Sequence, residues 1–398
     1  MLTMAAAVRY ALENNPGLAA QRQQRGIAAA RVVIADTYPF NPTTENRIQG
    51  AEGPQSGGIT NNVPVEHLLL WEVELFHQGR YRRQGAAAAL SRTEYEIAFQ
   101  EQTLAVQVIR AYTTLLYQQE KLGLLEETVQ FNQRLATDLR RLQRPAADVY
   151  LAETEVTATM GLVNAGRELV TVARSDLARL LGVVGGGFDI DGKLDIAPQP
   201  WDQAALTALA LTRRADLNGR REAVTEAAAI TRLVRANRWG NPTVGPIYTY
   251  DPSGVNSFGI QFNVPLPVVN THRGEILQSE AEQAQAVYLL RQAEVNVRQD
   301  VAAALARLKV VEQRAEFYRS KALPELRKVL DTMEDLYKNN QPSADFFRVM
   351  DIRRKLLQAR DGYLDALLAV RQARADLLAA TGEPALGLSA APPQPAKP

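Results

Sequence analysis

"ARSDLARLLG" at residues 173–182 and "ARADLLAATG" at residues 373–382 close two helical stretches in the same way. Both begin Ala-Arg, continue to an Asp-Leu pair and stop at a glycine, the residue that most often ends a helix in the left-handed conformation. They lie 200 positions apart in a chain of 398 residues. Outward from this pair, the same landmarks recur in the same order. "ALENNPGL" (11–18) answers "ALTRRADL" (210–217), and each leads into an alanine-rich helical run, through Ala35 or Ala236. Each run ends near an Asn-Pro pair, Asn41-Pro42 or Asn241-Pro242, before a stretch of turn residues and alternating letters (43–76 and 243–268). Long helical runs follow at 77–142 and 271–339, and both break at a proline, small residues and an aspartate: "RPAADVY" (144–150) and "QPSADFF" (341–347). This is an internal duplication. Two copies are too few for a solenoid, so they predict one pseudo-symmetric unit. The repeats are assigned to 1–182 and 204–382, joined by a linker at 183–203. A proline-rich tail at 383–398 is expected to be disordered.

Composition narrows the function. Lys plus Arg number 45 against 44 Asp plus Glu, which argues against a nucleic-acid partner, whose footprint is a basic excess. No cysteine is present, which removes thiolate chemistry. The three histidines, His67, His77 and His272, have no ligand-like spacing. No apolar run reaches the eighteen or so residues of a transmembrane helix, and Met1 opens no complete signal peptide. "GVVGGGFDIDG" (182–192) lacks the strand before it and the helix after it that a phosphate loop requires, and reads as a helix stop and linker. No nucleophile–base pair or metal constellation stands out, so neither an enzyme nor a cofactor is expected.

The run 77–142 carries apolar letters at helical spacing, among them Leu104, Val108, Ile109, Tyr112, Leu115 and Leu116. At 1.5 Å per residue, about 65 residues make a rod of roughly 100 Å, which belongs to a coiled coil or a tube. The helices 3–36 and 146–181, stacked end to end, would match that length. In "SFGIQFNVPL" (257–266), Phe258, Ile260, Phe262 and Val264 share one face, with polar or small letters on the other. "PTVGPIYTYD" (242–251) is its partner across a "DPSG" turn. "VEHLLLWEVEL" (65–75) and residues 43–52 give a second hairpin across "GPQSGG". Such strands suit a half-buried soluble sheet or a membrane barrel. Four cannot close a barrel, whereas three chains would supply twelve.

At this point the chain resembles the TolC-like outer membrane efflux proteins, in their branch of heavy-metal and drug exporters. "ALENNPGL" and "ALTRRADL" carry the likeness, the latter similar to the family's Arg-Pro-Asp-Leu with Ala215 in place of the proline. "VPLPVVNTHRGEI" (264–276) resembles the family's strand-to-helix junction, and "ELFHQGRYRR" (74–83) is its first-half copy. The resemblance implies a mainly α fold with a β-barrel portion, closed as a homotrimer with a twelve-stranded barrel in the outer membrane. A helical tunnel would cross the periplasm. The implied partners are a periplasmic adaptor, an inner-membrane pump of the resistance-nodulation-division type, and outer-membrane lipid. The implied function is a passive exit duct for drugs or metal ions. The alternative is a soluble periplasmic coiled-coil scaffold or adaptor. Many members carry an amino-terminal lipid-bearing cysteine; this sequence has no cysteine, so such an anchor is either not used or was removed with the leader.

Two sets of residues and one strand face are the candidate sites. Asp148 and Asp345 follow the breaks, where an aspartate caps a helix or complements its dipole. Threefold symmetry would instead gather them at a tunnel mouth, and the resemblance implies Asp345 as a gate residue. The family's usual second aspartate is Arg348 here. Arg144, Pro145, Asn340, Gln341 and Pro342 form the tips expected to dock an adaptor. Phe258, Ile260, Phe262 and Val264 are expected to face lipid.

Overall fold

In the computed structural model, which describes residues 1–50, 63–141, 143–185, 187–195, 200–251, 254–339 and 345–382, Thr3 opens the first helix by accepting a hydrogen bond from the Ala6 N–H. The segment 3–36, expected as one helix, is two. Helix α1 (Met4–Asn14) stops because Pro16 disfavours helical backbone at Asn15, and α2 (Pro16–Asp36) starts on that proline. The remaining order is β1 (Thr43–Ile48), β2 (Val65–Glu72), α3 (Gln78–Arg141), α4 (Ala146–Leu181), α5 (Gln203–Arg213), α6 (Ala215–Asn237), β3 (Thr243–Tyr250), β4 (Asn256–Asn263), α7 (Arg273–Phe317), a π-helical turn (Tyr318–Ala322), α8 (Leu323–Lys338) and α9 (Phe346–Thr381). The described residues fall into two compact units, each drawn from both halves of the chain. One holds Met1–Gln21, Ala98–Ala215 and the residues from Val295 onward; the other holds Arg22–Ile97 and Asp216–Glu294.

In the first unit, both helix ends quoted at the outset close on left-handed glycines, Gly182 at φ 75° and Gly382 at φ 70°. A Cβ on either would stand 3.0 Å from the backbone of the facing break, at Asn14 O or Arg214 Cα. The orphan carbonyls of these ends are served from that same break. Asn15 Nδ2 donates to Leu180 O at 2.9 Å, and Arg214 Nη1 donates to Ala380 O at 3.4 Å and to Asp300 at 2.8 Å. Arg214 explains why the helix breaks before Ala215 without a proline: its extended backbone (ψ 121°) is held by these bonds. Arg214 is 9% exposed, so Arg214→Ala strands the Ala380 carbonyl in the interior. That should cost about 1–3 kcal/mol, read as a lower melting temperature. Arg214→Lys should recover part of it. An unchanged melt for the alanine variant would refute the capping role.

Leu104, Val108, Ile109, Tyr112, Leu115 and Leu116 of α3 are buried, as their spacing predicts. Leu177, Leu305, Leu308 and Leu377 are buried in the same unit. The linker is stitched down here. Leu2 pairs with Ile190, the Tyr112 hydroxyl donates to Leu2 O at 2.8 Å, and Arg371 Nε donates to Leu194 O at 2.9 Å. The run 271–339 was expected unbroken, but Pro324 lies within it. Proline has no N–H and its ring clashes with the carbonyl four residues back; the π-helical turn widens the helix ahead of it and absorbs the misfit.

The second unit holds a four-stranded antiparallel sheet in the order β1-β2-β3-β4. The expected "GPQSGG" turn, two residues of "DPSG" and the tail lie outside the described residues. Between β2 and β3 the register lacks the pairs Leu69–Pro246 and Leu70–Gly245. Pro246 has no N–H to give, and the Gly245 backbone lies against the Leu69 carbonyl, so the ladder breaks there. Strand turns into helix at His77 and His272, both in left-handed backbone (φ 63° and 52°). The joint is a satisfied polar network. Gln78, 1% exposed, donates to Asn241 Oδ1 and accepts from the Phe76 N–H, both at 2.8 Å. Asn241 in turn donates to Glu72, while Arg82 pairs with Glu74 at 2.6 Å and donates to Ala35 O.

Candidate functional site

The register sorts the sheet into two faces. On one side, Val65, His67 and Trp71 align with Tyr250, Tyr248 and Val244 of β3, whose Tyr248, Pro246 and Val244 align with Phe258, Ile260 and Phe262 of β4, and Leu69 joins this side by alternation. Glu66, Thr249, Ser257, Gln261 and Asn263 share the opposite side with Leu68 and Ile247. The apolar side is open: Phe258 is 83% exposed, Ile260 and Phe262 69%, and Val264 56%. A contiguous apolar face of this kind is a surface that something must cover. β1 interrupts it with Thr44 and Asn46, whose Oδ1 lies 2.6 Å from His67 Nδ1. Among the described residues, the outer strands β1 and β4 each present one unpaired edge. Among the described residues, no helix is long and apolar enough to cross a membrane.

The residues at the helix breaks come together in the first unit. Phe346 and Met350 of α9 pack with Ala136 and Leu139 of α3 and Ala152 of α4, flanked by Tyr337. The Arg144 guanidinium lies over the Tyr337 ring, 4.9 Å from its centroid. Pro145 is the residue before α4, and Arg140 pairs with Glu153. Asp148 sits in the first turn of α4, and its carboxyl titrates above the ordinary aspartate range. Burial is the main cause, with Asp345 adding to it and Arg144 opposing. Asp345 caps α9, accepting from the Arg348 N–H at 2.8 Å. Asn340, Gln341 and Pro342 lie outside the described residues.

Further along the same helices, α9 is tied to α3 and α4 by ion pairs, Arg354–Glu155 and Arg360–Glu127. Arg353 is stacked on the Phe131 ring, 3.7 Å from its centroid, and bonded to Glu334 of α8. Burial depresses the Arg353 pKa despite that partner. Beside these pairs runs a groove of about 800 Å³ lined by Phe131, Leu323, Leu330, Leu357 and Tyr363. Among the described residues, the two helix pairs meet at this end through a small apolar cluster and these ion pairs. None of Phe131, Tyr337 or Arg353 is singled out by sequence. Their partners are remote in the chain, and no local spacing announces them. Asp376 is likewise shared by Arg110 and Arg307, which lie 266 and 69 positions away.

Residues 206–383 match the family model described as "Outer membrane efflux protein". No curated protein matches the sequence significantly. Among solved structures the chain is similar to CusC, described for the conformational changes that accompany folding and transmembrane channel formation. The identity is 18% and the TM-score 0.77, over 95% of this chain and 92% of that one. It is also similar to the outer membrane protein VceC of Vibrio cholerae (14% identity, TM-score 0.76, 95% and 96% covered). The MtrE outer membrane channel of Neisseria gonorrhoeae, in its open state, is similar as well (18% identity, TM-score 0.76, 95% and 88% covered).

Proposed function

We propose that the chain is the outer-membrane exit duct of a tripartite efflux system, conducting cargo passively and catalysing nothing, a reading supported by the match of residues 206–383 to the outer membrane efflux protein model and by a fold similar to that of outer-membrane channels. The single observation that carries this reading is the apolar sheet face, with Phe258, Ile260 and Phe262 open on a sheet whose two edges are unpaired among the described residues. A soluble scaffold would have no use for that face. In hydrocarbon, unpaired edges are not tolerated, so β4 of one copy must pair with β1 of the next. Three copies give twelve strands, an allowed barrel. Supporting the duplication are the matched devices of the two halves: Gly182 with Gly382, His77 with His272, and Asn15 with Arg214.

The homotrimer is tested by mass measurement after detergent extraction. A stable monomer with full strand content would overturn it. In the same extract, a photocrosslinker replacing Arg144 should capture a periplasmic adaptor, which in turn engages an inner-membrane pump of the resistance-nodulation-division type. Capture of no adaptor would remove the docking role from Arg144, Pro145 and the neighbouring Asn340, Gln341 and Pro342.

The ion-paired seam between the α3/α4 and α8/α9 pairs, with a groove beside it, supports a periplasmic gate at this end. Threefold symmetry would bring three copies of Asp345 together, with Asp148 beside each. A ring of carboxylates favours cations in a pore. Capping α9 and lining the mouth are compatible, because the cap uses one carboxylate oxygen, Oδ1. Asp345→Asn should therefore lower cation preference and divalent-cation block in single-channel recordings. If conductance, selectivity and block are all unchanged, Asp345 is a helix cap only.

A further inference from the structure

Exposed apolar residues do not stop where the strands stop. Below β4, Leu266, Val268 and Val269 are 73%, 81% and 93% exposed, and Leu75 and Trp239, at the strand–helix joint, are 58% and 50% exposed. Trp239 stacks on Phe76 at 6.2 Å. The strands are short for their task. Eight residues at about 3.3 Å, tilted near 45°, rise roughly 19 Å, against an apolar band of about 25 Å around an outer-membrane barrel. The missing height has to come from the joint.

Cations lie at the same level. Arg80 is the third residue of α3, Arg273 the first of α7, and Arg238 follows the last residue of α6. All three are exposed, and none has a carboxylate partner among the described residues. Their neighbours differ: Arg82 is held by Glu74, Arg83 by Asp36 and Arg235 by Glu280, and Glu275 is engaged by His272. Arg238 lies over the Trp239 ring at 5.5 Å. A guanidinium above an interfacial tryptophan, with no acid to satisfy it, matches a lipid phosphate above its own acyl chains.

We propose that the sheet–helix joint is a phospholipid-binding surface. The apolar residues at 264–269, with Leu75 and Trp239, meet acyl chains, and Arg80, Arg238 and Arg273 hold the phosphates of the leaflet facing the helices. This rests on the reading of the sheet as membrane-embedded. It places the membrane boundary at the helix ends rather than at the strand ends.

Two single-tryptophan proteins test the boundary in vesicles of phosphatidylethanolamine and phosphatidylglycerol carrying brominated acyl chains. One keeps Trp239 (Trp71→Phe, Trp201→Phe), and the other keeps Trp71 (Trp201→Phe, Trp239→Phe). Both emissions should be quenched by the bromines and shielded from aqueous iodide. Quenching of Trp71 alone would overturn the inference and leave the membrane reading intact. Quenching of neither would overturn the membrane reading itself. The phosphate contacts are tested on the detergent-solubilised protein by titrating phosphatidylglycerol and reading retained lipid by native mass spectrometry. Each Arg→Gln change at 80, 238 and 273 should weaken retention about fivefold, and Arg→Lys much less. Retention unaltered in the triple glutamine variant would overturn the arginine assignment.

Discussion

Ile260→Arg should abolish assembly in the membrane, while Gln261→Arg should leave it near the wild-type level. The two positions are adjacent in β4, so strand propensity and proximity to the chain's turn are shared, and only the face differs. Ile260 aligns with Pro246 on the apolar face, and Gln261 aligns with Gly245 on the opposite one. Near the middle of an eight-residue strand, residue 260 would place its side chain close to the bilayer midplane. An arginine there costs about 2–4 kcal/mol, falling toward zero at the interfaces. A trimer carries the change three times, so the assembled barrel loses on the order of 6–12 kcal/mol. That is comparable to the whole stability of an ordinary domain, about 5–15 kcal/mol. An arginine at 261 would face an aqueous lumen and stay hydrated. Trimer yield from membranes of cells expressing each variant decides the matter. Equal loss from both would mean that lipid and lumen are not separated by this register.

Much of this architecture is legible before any coordinates. The period-two run at 257–264 fixes which residues share a face, because a pleated strand alternates without exception over so short a length. The glycine ends at 182 and 382 are legible because few other residues accept left-handed backbone. Pro16 was a visible breaker at the edge of an alanine-rich run, and its effect on 3–36 is a local steric one. Pro324 was equally visible, yet the chain keeps its helical course through a five-residue π turn, an accommodation that letters do not announce. Arg214 shows the opposite limit. Its break has no proline to mark it and is held by Ala380 and Asp300, 166 and 86 positions away. The seam beside the candidate gate is of the same kind. Glu155 meets Arg354 across 199 residues, and a charge that far away leaves no trace in local spacing. Asp345 is intermediate: its capping role follows from its place before α9, whereas a pore-lining role depends on copies of the chain that no single sequence displays.

Gly245→Ala should disrupt the sheet at its centre, and Gly245→Val should do so completely. β3 is the only described strand that joins the first hairpin to the second, through its pairing with β2. At Gly245 the two backbones approach so closely that an added Cβ would overlap the Leu69 carbonyl oxygen, far inside van der Waals contact. It would also lie 2.7 Å from the Leu69 carbonyl carbon and 3.2 Å from Leu70 Cα. All three atoms are backbone, so no side-chain rotation can relieve the clash; β2 and β3 have to separate. Separation exposes ladder groups that hydrocarbon cannot satisfy, and a loss on the order of 4–5 kcal/mol or more per chain is the scale of such a disruption. Gly259 supplies the control, one strand over. A Cβ there would meet only the Ile247 Cγ2 at 3.2 Å, the end of a side chain that can yield by a few tenths of an ångström. Gly259→Ala should therefore change stability by no more than about 1 kcal/mol, part of it favourable through the stiffer unfolded chain. Strand content by circular dichroism and heat-resistant trimer on a gel give the two readouts. If Gly245→Ala assembles as well as Gly259→Ala, the hairpins are not in contact at Gly245 in the assembled barrel, and the β2–β3 register has to be replaced by another.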